Sequence, residues 1–221
     1  MSSPSVATGG VRRLALPLGV VLGALLCGEL LAALSASVWQ NRMFPWTATR
    51  GFGIAAYVDL AFATAVGLWL RHPWQRRLPG PTPGTLLRLH ATMIAAAAMI
   101  TAAHIGAVLA DGFAHVGFVG ALLPGRSGYR PLGMACGTVG LYLAVLVGAT
   151  AWLSGLLVGR FWLPIHRLAY GAFFLIWVHG VLTGSDVPAL RVLYVASGLL
   201  VVLLAVSRRL VTDPLHPAVV R

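Results

Sequence analysis

Two stretches decide the fold: Leu87–Asp111, LRLHATMIAAAAMITAAHIGAVLAD, and Phe161–Asp186, FWLPIHRLAYGAFFLIWVHGVLTGSD. Each carries an apolar run of about 20 residues, the length a helix needs to cross the hydrocarbon of a bilayer. Each also carries two histidines inside that run, His90 and His104 in the first and His166 and His179 in the second. A polar side chain in lipid is costly unless it is paired or liganded, so these four residues point to function before anything else does.

Working outward, four further apolar segments accompany these two, giving Leu14–Val38, Gly51–Leu70, Leu86–Ala110, Leu132–Val158, Pro164–Gly184 and Pro188–Ser207. The whole chain is 58% hydrophobic and only 10% charged, with a mean hydropathy of +0.86. A soluble domain is nearer 45–50% apolar. The expected fold class is therefore all-α, an integral membrane bundle of six transmembrane helices. The run Leu14–Val38 follows Arg12 and Arg13 and ends in LSAS, like a signal peptide, but is longer than such a core usually is. We expect it to be retained as the first span.

The net charge of +11 comes from 16 basic residues, all arginine, lying between the apolar runs. That spread is topological and does not suggest nucleic acid. With the N-terminus inside, the inner segments hold eleven arginines and the outer ones five, Arg42, Arg50, Arg126, Arg130 and Arg191. Both termini are thus expected inside, with an inner tail over 1–13, a membrane domain over 14–207 and an inner tail over 208–221. Cys27 and Cys136 stand alone, without CxxC or CxxCH, and read as small packing residues.

The spans of His90/His104 and His166/His179 run in the same direction, so His90 faces His166 at one depth and His104 faces His179 at another. Separations of 14 and 13 residues correspond to roughly 20 Å of helix, room for two macrocycles. An imidazole from each side fills both axial positions of a haem iron. A zinc ion wants three or four ligands in one shell, which these pairs do not offer. Helical phase sets a condition on the fifth span: fourteen residues return to one face, but thirteen leave His179 about 140° from His166, so that helix is distorted, tilted, or meets its two haems from different flanks. Gly171 and Gly180 are the residues that would permit it.

The same two stretches resemble the ferric reductase-like transmembrane domain shared by ferric reductases, NADPH oxidases and the haem-binding subunit of the periplasmic methionine sulfoxide reductase system. The resemblance runs from RGFGIAAYVDL (Arg50–Leu60) through the fifth span, and is most specific at HRLAY (His166–Tyr170) and VHG (Val178–Gly180). It implies two haem b groups, an inner one on His90 and His166 and an outer one on His104 and His179. It implies an electron-transfer protein of a bacterial cytoplasmic membrane, carrying electrons from an inner flavoprotein or quinol donor to an outer acceptor, ferric iron or a partner reductase. No GxGxxG or other nucleotide loop is present, so the expectation is an oxidoreductase component without its own FAD or NAD(P)H domain. Two alternatives stay open: a haem-binding anchor subunit feeding a periplasmic oxidoreductase, and a haem-free transporter using Glu29 and Asp59.

Glu29 and Asp59 are carboxylates at similar depth in the first two spans, able to share a proton or simply to hold helices together. Arg88, Arg167, Arg126 and Arg130 are candidates for haem propionates or for ordinary charge at the span ends. Of the histidines outside the spans, His72, His115 and His216, only His115 suggests a metal-ion exit, and a solvated loop role suits it better. The tryptophans fall mostly near span ends, as interfacial anchors do; Trp177 sits beside His179 in sequence, where core packing is the simpler role.

Overall fold

The computed structural model describes residues 42–153 and 162–211. The first apolar segment, with Cys27 and Glu29, lies outside them, as does His216. By backbone contacts the chain divides into Met1–Phe44 and Pro45–Arg221. The second unit holds nearly all the described residues, and it is helical throughout them, without a strand.

Its helices are α1 (Phe44–Leu70), α2 (Pro83–Ala110), a short α3 (Gly117–Leu122), α4 (Pro131–Trp152), a short α5 (Trp162–His166), α6 (Ala169–Thr183) and α7 (Val187–Leu210). Local chemistry sets the starts. Thr82 caps α2 through its hydroxyl, which accepts from the Thr85 amide at 3.2 Å, and Pro83 opens the helix. Pro131 opens α4 after Arg130, whose left-handed backbone (φ 41°) turns the chain into it. Five helical stretches are long and apolar enough to cross a membrane: α1, α2, α4, Trp162–Thr183 and α7. The protein is thus a multi-pass α-helical membrane protein. Its outward faces agree, since Trp152 is 85% and Leu203 64% exposed, surfaces that lipid would cover.

The helices meet end to end in a consistent way. At one end Arg50 on α1 grips Asp186 at the start of α7 with both carboxylate oxygens, Nε lying 2.7 Å from Oδ2. At the other end His72, just after α1, bonds Ser207 on α7 at 3.1 Å. Midway, Tyr57, Phe173 and Tyr194 form a buried aromatic cluster, with Tyr57 hydrogen-bonded to Ser197. The closest backbone packing is α4 on α6, whereas α2, which carries His90 and His104, is not among the helices closely packed with α5 or α6, which carry His166 and His179.

Glycine explains the first of these. Methyl groups at Gly133 and Gly140 would stand 2.7 Å from Thr183 Cγ2 and 2.8 Å from Ile176 Cγ1, so α4 reaches α6 only because these positions lack a side chain.

The fifth span is distorted, but at a place that differs from the expected glycines. The helix breaks at residues 167–168, directly after His166. There the Arg167 amide is shared between the Leu163 and Pro164 carbonyls, while Leu168 donates to Ile165 and Tyr170 to Arg167, each three residues back. Such bonds wind at about 120° per residue in place of 100°, which recovers part of the phase deficit between His166 and His179. Gly171 meets only Leu143 at an ordinary 3.9 Å, and Gly180 makes room for Tyr194.

Candidate functional site

The four intramembrane histidines form two pairs, as their depths require. His90 and His166 have ring centres 6.2 Å apart and planes at 77°. His104 and His179 have ring centres 6.4 Å apart and planes at 81°. Two imidazoles bound trans to one metal, each through a nitrogen about 2.0 Å from the metal and about 1.2 Å from its own ring centre, have centres about 6.4 Å apart; on a tetrahedral ion the figure is about 5.2 Å. Both pairs fit the trans arrangement. Among the described residues no three His, Cys, Asp or Glu side chains gather around a common point. Each pair would thus offer two imidazoles to a group placed between its rings, and any further coordination would have to come from that group.

Three of the four rings are oriented by one repeated device. Nδ1 of His104 lies 2.8 Å from the Thr49 carbonyl, Nδ1 of His90 2.8 Å from that of Ala63, and Nδ1 of His179 2.9 Å from that of Gly133. A carbonyl only accepts, so each Nδ1 carries the proton and each Nε2 keeps its lone pair. That is the tautomer a metal ligand needs, and a backbone carbonyl is a usual partner for the other nitrogen of such a ligand.

One turn beyond each carbonyl stands a glycine on the same face of the helix. A methyl at Gly53 would lie 3.0 Å from His104 Cε1, one at Gly67 3.0 Å from His90 Cε1, and one at Gly137 2.5 Å from His179 Nδ1. Helix backbone therefore cradles each ring, with the carbonyl at position i and the glycine at i+4. Gly53 and Gly67 on α1 are fourteen residues apart, as are His90 and His104 on the antiparallel α2. These glycines do not stand out in the sequence; the matched spacing and the GxxxG of GMACG (Gly133–Gly137) are the signals it offers.

The fourth ring differs. His166 Nδ1 is buried with no hydrogen-bond partner among the described residues. Trp162, one turn earlier, packs beside it with ring centres 5.4 Å apart.

Other candidates take structural roles. Arg130 donates to the Leu182 carbonyl at 2.7 Å, near the end of α6. Arg88 and Arg126 are exposed. The Trp177 indole donates to the Tyr194 carbonyl at 2.9 Å and stacks on Phe174, which places it in the α6–α7 packing. His115 is an exposed loop residue bonded to the Phe113 carbonyl. Asp59 keeps one carboxylate oxygen buried without a partner among the described residues, and its pairing with Glu29 falls outside them. Compared with protein-family models, with curated proteins and with solved structures, the chain finds no match.

Proposed function

We propose that the chain is a di-haem b transmembrane electron-transfer protein of the ferric reductase-like kind, with six spanning helices and both termini on the inner side of a bacterial cytoplasmic membrane. One observation carries this reading: two cross-helix histidine pairs whose ring centres lie 6.2 and 6.4 Å apart, the spacing of opposed axial ligands. When bound, a haem b supplies an iron that takes up and gives up one electron at a time.

The chain's own residues hold and orient that group. His90 and His166 serve the inner position, His104 and His179 the outer, roughly 21 Å apart along α2. Thr49, Ala63 and Gly133 fix three of the four tautomers. The end nearer His90 holds Arg71, Arg76, Arg77, Arg88, Arg167, Arg208 and Arg209, which favours placing it inside. A flavoprotein or quinol would deliver electrons there. Ferric iron or a partner reductase would receive them at the Asp186 end.

The test is a reduced-minus-oxidised spectrum with haem quantitation on the purified full chain and on each His→Ala variant. Two haems per chain are expected, with His90→Ala and His166→Ala losing one and His104→Ala and His179→Ala losing the other. A preparation without b-type bands overturns the reading. That result would favour instead a haem-free bundle built around Asp59, whose unpartnered carboxylate oxygen is the observation in its support.

A further inference from the structure

Away from the histidine pairs, a cavity of about 510 Å³ opens at the arginine-rich end, lined by Leu68, Arg167, Tyr170, Ala205, Val206, Arg208 and Arg209. We propose that it binds the phosphate headgroup of an anionic phospholipid. Its position is the first argument. It lies where α1 and α7 finish their spans and α6 begins, the depth at which lipid headgroups sit. Basic pockets between spanning helices are a recurrent way of holding such headgroups.

Its chemistry is the second. Three arginines line it, Arg167 from the α5–α6 break and Arg208 and Arg209 from the last turn of α7, and a guanidinium offers the planar fork that matches phosphate oxygens. None of the three forms an ion pair with a described carboxylate. Arg208 Nη1 does reach the Tyr170 hydroxyl at 3.4 Å, which leaves its remaining donors for a ligand. The apolar part of the lining, Leu68, Ala205 and Val206, suits the glycerol and upper acyl portion of a lipid better than a fully hydrated soluble anion. Volume agrees as well, since sites for small ligands run from about 300 to 1,000 Å³.

Arg167 follows His166 directly in the chain, but the inner histidine rings take no part in the site. Neither His90 nor His166 lines it, and α2 contributes nothing to it. The inference does not depend on the haem reading, and its test reads no colour.

The full chain in neutral detergent would be titrated with phosphatidylglycerol, phosphatidylcholine or inorganic phosphate and followed by native mass spectrometry. Phosphatidylglycerol should be retained in clear preference to phosphatidylcholine. Its affinity should fall about fivefold for each of Arg167→Gln, Arg208→Gln and Arg209→Gln, and about a hundredfold for all three, at about one unit of basic-residue attraction each. Exchanging Arg71 and Arg76, exposed at the same end, should leave it unchanged. If the triple variant does not fold, Arg167→Gln and Arg209→Gln, at exposed side chains, carry the test singly. Equal retention of the two lipids, retention unaltered in the variants, or displacement of the lipid by millimolar inorganic phosphate overturns the proposal; the last would assign the cavity to a soluble anion.

Discussion

Replacing Gly137 by alanine is the sharpest test of how the outer ring pair is held. The added methyl would stand 2.5 Å from His179 Nδ1 and 2.8 Å from both Cγ and Cε1, while ordinary contact begins near 3.4 Å. The ring must therefore retreat by about 0.9 Å, and it cannot do so while keeping its 2.9 Å bond to the Gly133 carbonyl on the same helix. Losing that bond costs about 1 kcal/mol and overpacking about 1–3 kcal/mol. The helix-propensity gain of alanine over glycine offsets only about 1 kcal/mol. The net is a loss of about 1–3 kcal/mol, together with a displaced ligand, and loss of an orienting partner lowers metal affinity by about 10- to 100-fold. Gly148 on the same helix has nothing within 4 Å of its would-be methyl, so Gly148→Ala should be neutral or slightly stabilising. Thermal unfolding in detergent and haem stoichiometry would be measured for both variants. Gly137→Ala should melt lower and lose the haem assigned to His104 and His179 while keeping the other. Equal stability and equal haem content in the two variants would refute the cradle.

Three further outcomes are expected. His72 accepts from the Trp74 amide through Nδ1 and bonds Ser207 through Nε2, so the folded loop needs the neutral ring; burial, then the nearby Arg208 charge, hold its pKa below the ordinary 6.5. Its contribution is then complete above about pH 6.5 and shrinks as pH falls toward the lower folded value, which amide exchange over residues 74–77 should show as faster opening at about pH 5.5 than at about pH 7.5. Asp186→Asn should lower stability by about 1 kcal/mol, since the Arg50 pair is two-pronged yet 38% and 27% exposed. Arg50 holds the Asp186 carboxyl below its usual range, so in thermal melts the gap from wild type should be full above about pH 4 and close as pH falls further. Finally, ring planes at 77° and 81° leave the two π-type iron orbitals close in energy, so EPR of the oxidised, haem-loaded chain should show strongly anisotropic low-spin signals; rhombic three-line spectra from both sites would mean parallel rings.

Five of the six spans, those within the described residues, and the pairing of histidines were legible in the sequence because both follow from one-dimensional quantities, apolar length and residue spacing. Boundaries were less so, and for a physical reason. Arg50 looked like the end of a loop, yet α1 begins at Phe44 and takes Arg50 into its second turn, where Asp186 from the distant α6–α7 connection satisfies the charge. Likewise α7 continues to Leu210 through Arg208 and Arg209, at the end where charged side chains meet headgroups. The cradle glycines were hidden differently. In a chain with 26 glycines, a contact glycine looks like any other until the ring that needs it is known.

The two pairs are not equivalent, and the difference follows from the thirteen-residue spacing. On α1 and α2 a separation of fourteen residues repeats the helical face, so one carbonyl-plus-glycine cradle can recur at both depths. On the α4 side it does not recur. Thirteen or fourteen residues beyond Gly133 and Gly137 come Leu146 and Val147, then Thr150 and Ala151, which leave no opening for a ring. The break at residues 167–168 answers this by setting His166 on a separate short helix, α5, outside the register that α4 imposes on α6. Alignment with His90 is gained without such a cradle from α4, in keeping with an Nδ1 of His166 that has no partner among the described residues. Among the described residues the outer pair is thus fixed by backbone at both rings and the inner pair at one, so the geometry of the inner pair depends on α5 and the break that places it.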